Sequence, residues 1–160
     1  MATTGSDGFL NIYKINEDKL EFLTKIKICD KKVPVDKSFD LEMQWLSEET
    51  LLVPGKTSLG FLQKDEDDEK VWEACYEERV SHATEITTVM KISNEVLISY
   101  SQDDSVLKVW RLNDDGCACL YEFKFQNPII SIKYDNQSKT LACMDCECRI
   151  GVFQKDLIGA

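Results

Sequence analysis

The stretch "SYSQDDSVLKVWRL", residues Ser99 to Leu112, has the most regular pattern in the chain. A polar turn rich in aspartate leads into alternating aliphatic residues, and the run closes on a tryptophan. This pattern is typical of two β-strands joined by a tight turn. Whether it occurs once or several times decides between a single small sheet and a repeat architecture.

The pattern occurs four times along the chain. The residues that close the alternating run are 49, 48 and 43 residues apart, and they are Tyr13, Leu62, Trp110 and Phe153. Two further alternating segments precede each of the last three, and one follows each of the first three. β-Branched and aromatic residues are enriched in these segments, and no segment has a helical period. The sequence therefore predicts an all-β fold of about three and a half four-stranded antiparallel units.

Four-stranded repeats of roughly 40–45 residues with a tryptophan ending the third strand are typical of WD-repeat β-propellers. The chain is similar to this family most specifically in its third unit. There, His82 precedes the first strand, Ser99 lies in the second, and Trp110 closes the third. The resemblance implies that these residues form a structural tetrad, a hydrogen-bonded chain whose fourth member is either Asp103 or Asp104 of the turn.

The resemblance also implies the domain organisation. We expect one partial propeller over residues 1–160, with two complete blades and two incomplete ones: 1–28 (incomplete), 40–78, 82–125 and 128–160 (incomplete). Closed propellers have about four to eight blades. The sequence therefore predicts a part of a larger propeller with blades missing before Met1, and it leaves open whether blades also follow Ala160.

Composition and charge narrow the classes of function. Acidic residues outnumber basic ones by 29 to 19, and the formal net charge is −10. A phosphate backbone would be repelled, so we expect no direct nucleic-acid binding by this segment. No apolar run is long enough to cross a membrane, and the start "MATTGSDGFL" lacks the features of a signal peptide. The sequence therefore predicts an intracellular protein that is neither secreted nor membrane-bound.

The acidic residues concentrate in the turns between the third and fourth strands, which emerge on one face of a propeller. The candidate acidic interaction rim consists of Glu17, Asp18, Asp65, Glu66, Asp67, Asp68, Glu69, Asp114 and Asp115. Such a field attracts lysine- and arginine-rich segments of other proteins. The alternative interpretation is a set of solvated loops that keep the protein soluble.

Two patterns suggest chemistry, and neither is strong. The run "CMDCEC" contains Cys143, Cys146 and Cys148, and three thiolates with a fourth from a neighbouring strand would suffice for zinc. Its spacing matches no paired CxxC motif, so we expect no metal and no cofactor, and we keep a metal or thiol site as an alternative. Histidine, serine and aspartate together suggest a hydrolase, but no "GxSxG" element is present, so we expect no enzymatic activity.

Three consecutive segments resemble a narrower family. They are "LEMQWLSEETLLVPGKTSLGFL" (Leu41 to Leu62) with Trp72 after a charged loop, "ITTVMKISNEVLISYSQDDSVLKVW", and "IISIKYDNQSKTLACMDCECRIGVF" (Ile129 to Phe153). In this order they resemble the closing blades of the amino-terminal propeller in the acidic nucleoplasmic DNA-binding and chromosome-transmission-fidelity family of replisome scaffolds, also described as WD-repeat and HMG-box DNA-binding proteins.

That resemblance implies a non-enzymatic, nuclear protein–protein interaction scaffold in DNA replication, linking the replicative helicase to DNA polymerase alpha. It implies replisome components as partners and nuclear localisation. The alternative is a WD-repeat adaptor of another complex, in RNA processing, trafficking or ubiquitin ligation.

Overall fold

The structure is a computed structural model, and it describes residues 1–5, 7–27, 43–54, 57–76, 81–113 and 116–153. Every regular element in these ranges is a β-strand, which confirms the prediction of an all-β fold. All four predicted blades, 1–28, 40–78, 82–125 and 128–160, include residues outside the described ranges, and their limits remain predictions. The described residues contain no helix with the length and hydropathy needed to cross a membrane.

The strands form four separate sheets, each an antiparallel meander of strands in chain order. The first sheet contains β1 (Ala2–Thr4), β2 (Phe9–Asn16) and β3 (Lys19–Lys27). The second contains β4 (Gln44–Trp45), β5 (Thr50–Pro54), β6 (Leu59–Lys64) and β7 (Trp72–Tyr76). The third contains β8 (Thr88–Lys91), β9 (Val96–Ser101), β10 (Val106–Asn113) and β11 (Gly116–Lys124). The fourth contains β12 (Ile129–Asp135), β13 (Thr140–Asp145) and β14 (Ile150–Phe153).

The quoted stretch is the hairpin of β9 and β10. Its turn is tight because Ser105 adopts a positive φ of 56°, and because the Asp104 carboxylate accepts a hydrogen bond from the Val106 backbone N–H. Strand β9 is buried along its whole length, since it has a sheet neighbour on each side and a packed sheet on each face. The hairpin therefore lies at the centre of the third sheet.

Three apolar clusters join the four sheets in chain order. The cluster around Leu10 and Leu51 lies between the first and second sheets. The cluster around Leu52 and Trp110 lies between the second and third, and the cluster around Leu107 and Leu141 lies between the third and fourth. Alternation along the strands produces this arrangement, because successive side chains point to opposite faces and each inner sheet can contact two neighbours.

The meander also decides where each turn emerges. In an antiparallel sheet of four strands, the first-to-second and third-to-fourth turns lie at one end, and the second-to-third turn lies at the other. We call the first of these the rim end. A hydrogen bond joins the rim ends of two sheets. The Lys91 ammonium, beside the β8–β9 turn of the third sheet, donates to the Leu46 carbonyl, beside the β4–β5 turn of the second sheet, at 2.8 Å. The rim ends of the second and third sheets are therefore neighbours.

Candidate functional site

The segment that carries His82 is tied to the preceding sheet. The backbone N–H groups of Ser81 and His82 both donate to the Thr57 carbonyl, at 2.7 and 2.9 Å. The Ser81 hydroxyl accepts a hydrogen bond from the Leu59 backbone N–H. These contacts connect the turn before β6 to the start of the third sheet, and they hold His82 in the buried space between the two sheets.

His82, Ser99 and Trp110 are joined through one hydroxyl group. The Ser99 Oγ lies 2.7 Å from His82 Nε2, and the Trp110 indole N–H donates to the same oxygen at 2.7 Å. A serine oxygen has two lone pairs and one proton, so it can serve both rings. This series of hydrogen bonds connects the segment before β8 with β9 and with β10. It therefore joins three parts of one blade.

Asp103 and Asp104, in the turn between β9 and β10, are not hydrogen-bonded to His82. His82 Nδ1 is buried and has no hydrogen-bond partner among the described residues. Asp104 accepts from Val106, and Asp103 is exposed at the tip of the turn. Burial lowers the pKa of His82 from 6.5 to about 4, so the imidazole is neutral at pH 7. Both His82 and Ser99 lie out of contact with solvent, where a substrate does not reach them.

The acidic rim residues that the structure describes are in surface turns at the rim end. In the first sheet β2 contains Tyr13 as β10 contains Trp110, so β2 corresponds to the third strand of a blade and the turn between β2 and β3 lies at the rim end. Glu17 and Asp18 are exposed in this turn, where Glu17 has a φ of 42°. Residues 65–69 form the loop between β6 and β7, and Glu66 and Asp67 are exposed at its tip. Asp114 and Asp115 lie outside the described residues.

Part of this loop's charge has a structural use. The Asp65 carboxylate accepts hydrogen bonds from the backbone N–H groups of Asp67 and Asp68. The Asp68 carboxylate in turn accepts one from the Lys70 backbone N–H. Aspartate side chains commonly organise tight turns in this way. Two of the five acids of the loop therefore determine its shape.

Glu69 connects the loop to the first sheet. Lys14, near the end of β2, donates to both Glu69 carboxylate oxygens at 3.0 and 2.9 Å. This hydrogen bond lowers the pKa of Glu69 and raises the pKa of Lys14. Both side chains are more than two-fifths exposed, so the pair contributes little to stability. Its main effect is to hold the acidic loop beside the turn that carries Glu17.

The sequence analysis also missed acids in first-to-second turns at the same end. Glu48 and Glu49 lie in the turn between β4 and β5, and Glu95 lies in the turn between β8 and β9. All three residues, Glu48, Glu49 and Glu95, are exposed. They lie at the rim end because first-to-second turns and third-to-fourth turns emerge at the same end of an antiparallel sheet. The Glu49 carbonyl accepts from the Lys64 N–H, at the start of the acidic loop. Counting strands along each predicted meander would have found these residues.

The cysteines of "CMDCEC" do not converge on one point. Cys143 is buried in the cluster between the third and fourth sheets, where burial raises the pKa of its thiol to about 11. Cys146 and Cys148 are exposed in the turn before β14, which the Asp145 carboxylate organises by accepting from the Glu147 and Arg149 N–H groups.

The other described thiols lie elsewhere. Cys117 packs in the cluster on the opposite face of the third sheet, and Cys119 is exposed on β11. Within the described ranges, no group of three or more potential ligand side chains is placed to hold a metal ion. Cys29 and the side chain of Cys75 lie outside the described part of the chain.

Comparison with known proteins identifies the fold. No protein-family model and no curated protein matches the sequence. Among solved structures, a WD40 propeller component of the crystal structure of the mitotic checkpoint complex matches 98% of this chain, with a TM-score of 0.69 and 10% sequence identity. The fold is that of a partial WD-repeat propeller. The chain spans 46% of the structure that it matches, about half.

Proposed function

We propose that the chain is a non-enzymatic interaction module of a WD-repeat scaffold, and that its rim end binds lysine- and arginine-rich segments of partner proteins. The observation that carries this proposal is the exposure of carboxylates from several turns at one end of neighbouring sheets. Glu66 and Asp67 are exposed in the β6–β7 loop, and the ion pair of Lys14 with Glu69 holds that loop beside the first sheet. Clustered charges of one sign steer oppositely charged partners and increase their association rates.

A binding experiment tests the rim. The double variant Glu66→Gln/Asp67→Asn removes two exposed charges at the rim end. Its matched control, Asp103→Asn/Glu147→Gln, removes two exposed charges from turns at the opposite end. With a lysine- and arginine-rich peptide as probe, we expect the rim variant to bind several-fold more weakly and the control to bind like the wild type. Equal losses in both variants would indicate attraction by net charge alone and would contradict a rim site.

The finer proposal is the complex to which the module belongs. We infer that it is a replisome scaffold of the acidic nucleoplasmic DNA-binding and chromosome-transmission-fidelity family, acting in the nucleus between helicase and polymerase. The order of the three segments between Leu41 and Phe153 supports this proposal. The test is sequencing of the full-length transcript on both sides of the 160 codons. Further blades upstream with an acidic linker and an HMG box downstream are the expected result, and a different downstream domain would overturn it.

A further inference from the structure

Two tryptophans meet at the rim end of the second sheet. Trp45 is the last residue of β4, and Trp72 is the first residue of β7. Their ring centroids are 5.8 Å apart, with an angle of 70° between the ring planes. Trp72 packs against the apolar cluster between the first and second sheets, whereas Trp45 is 37% exposed. The pair is therefore supported from inside the molecule, and Trp45 remains open to solvent.

This aromatic surface lies between two sheets of the chain. Trp45 is the cross-strand partner of Leu51, so the two side chains project from the same face of the second sheet. Leu51 packs in the cluster between the first and second sheets. The surface is thus the rim-end border of that cluster, and it does not depend on what adjoins the outer faces of the first and fourth sheets.

Hydrogen bonds fix the elements that carry both rings. The Trp72 indole N–H donates to the Glu69 carbonyl at 3.3 Å. After Trp45, the Leu46 backbone N–H closes the β4–β5 turn by donating to the Thr50 carbonyl at 2.9 Å. A surface that is ordered before binding loses little conformational entropy when a ligand occupies it.

The charges beside Trp72 are already matched within the chain. The hydrogen bond from Lys14 lowers the pKa of the Glu69 carboxyl group, and the charges of Lys64 and Lys70 lower it further. Glu69 therefore has cationic neighbours from its own chain, and this side of the pair does not require a cation from a partner.

The carboxylates beside Trp45 are in a different position. Glu48 and Glu49 are exposed in the turn that follows Trp45 directly. Neither carboxylate forms an ion pair with a described residue. An exposed aromatic ring beside exposed carboxylates complements a group that is both planar and positively charged. The guanidinium of arginine is such a group, because it stacks on aromatic faces and binds carboxylates through two parallel hydrogen bonds.

We propose that Trp45, Glu48 and Glu49 form an arginine-binding site. The guanidinium group of a partner's basic segment stacks on the Trp45 ring and pairs with the carboxylates. Trp72 is a positioning residue, because its ring contacts Trp45 from the side of the apolar cluster. Lysine fits this site less well, since its ammonium is a compact and strongly hydrated charge. The inference rests on the proposed function, and it names the side chain that the rim end prefers within a basic segment.

Two labelled peptides of equal length and charge test this preference. One alternates glycine with arginine and the other alternates glycine with lysine, and fluorescence anisotropy measures the Kd of each. We expect the wild type to bind the arginine peptide about two- to five-fold more tightly than the lysine peptide. This comparison needs no variant, so it does not depend on whether a substitution disturbs folding.

Variants then locate the preference. In Trp45→Leu, with unchanged circular dichroism, both peptides should bind equally, and Trp45→Phe should keep part of the preference because it keeps an aromatic ring. Tyr121→Leu is the matched control, because Tyr121 is also an exposed aromatic residue, at 41%, but lies within β11 and away from the rim end. This control should keep the full preference for arginine.

The rim variant Glu66→Gln/Asp67→Asn separates this inference from the proposed function. It should weaken the binding of both peptides alike and leave the preference for arginine unchanged. If the wild type binds both peptides equally while the rim variant weakens both, the arginine site is wrong and the acidic rim stands. If neither peptide binds the wild type, both proposals are overturned. A preference that persists in Trp45→Leu, or that is lost in Tyr121→Leu as well, would also overturn the arginine site.

Discussion

Ser99 is the residue on which the buried hydrogen-bond chain depends, because one oxygen serves two rings. In Ser99→Ala, both His82 Nε2 and Trp110 Nε1 lose their partner in a buried site. Each unsatisfied buried group costs about 1–3 kcal/mol, so we expect the free energy of unfolding to fall by about 2–6 kcal/mol. Urea denaturation measures this change.

A double-mutant cycle with Trp110→Phe separates the hydrogen bond from packing. Phenylalanine keeps an aromatic ring and removes the N–H donor. If the hydrogen bond from the indole N–H to Ser99 stabilises the fold, the double variant should lose clearly less free energy of unfolding than the sum of the losses in the two single variants. Additive costs would show that the 2.7 Å contact contributes nothing to stability.

His82 makes stability depend on pH. Burial lowers its pKa in the folded chain, so the unfolded chain binds the proton first as the pH falls. Its contribution to stability is complete above pH 6.5 and is lost as the pH falls to about 4, a loss of about 3 kcal/mol. Urea denaturation across this range should show the decline in the wild type. In His82→Gln, which has no titrating ring, most of that slope should disappear, and an unchanged slope would assign it to other groups.

At the scale of elements, Tyr100 joins two sheets. Its hydroxyl oxygen, buried on β9, accepts a hydrogen bond from the Ile129 backbone N–H at 2.6 Å, where β12 begins. The ring belongs to the cluster between the third and fourth sheets. One side chain therefore contributes both to apolar packing and to the start of the next blade.

The substitution Tyr100→Phe removes this hydrogen bond, together with the hydrogen bond between the hydroxyl group and the Ser105 side chain, and keeps the ring. We expect a loss of about 1–3 kcal/mol, because the Ile129 N–H stays buried without a partner. We also expect the Ile129 amide to exchange its hydrogen faster than the other β12 amides, relative to the wild type. Uniform acceleration across the fourth sheet would instead indicate general destabilisation.

At the scale of the whole molecule, charge opposes folding. The net charge is −10, and carboxylates from several turns meet at the rim end. Salt screens exposed charges over about 8 Å at physiological ionic strength. We therefore expect sodium chloride at such concentrations to raise the free energy of unfolding by roughly 0.5–1 kcal/mol. Denaturation series at low and physiological salt measure this effect.

The rim variant provides the control for that prediction. Glu66→Gln/Asp67→Asn should be more stable than the wild type at low salt and should respond less to added salt. The matched change at the opposite end, Asp103→Asn/Glu147→Gln, should change the response less. If both variants respond alike, the effect belongs to the net charge of the chain and not to the rim.

Much of the fold could be predicted because strand patterns are local. The alternation in "VLISYS" and "VLKVW" is visible in the sequence, and it corresponds to β9 and β10. The prediction was weaker where the pattern was interrupted. The segment quoted for the second blade begins at Leu41 with the alternating run "LEMQWL", whereas the described strand β4 contains only Gln44–Trp45, and residues 41 and 42 lie outside the described ranges.

The sequence by itself determined the strand order, the repeat and the acidic turns, because a period of two and a turn signal depend on neighbouring residues. Only the tertiary structure decided which side chains contact one another between different strands and sheets. Asp104 accepts from Val106 and not from His82, Glu69 binds Lys14 of another sheet, and Cys117 and Cys143 lie on opposite faces of the third sheet. These contacts depend on how whole sheets pack against one another, and no local pattern records that packing.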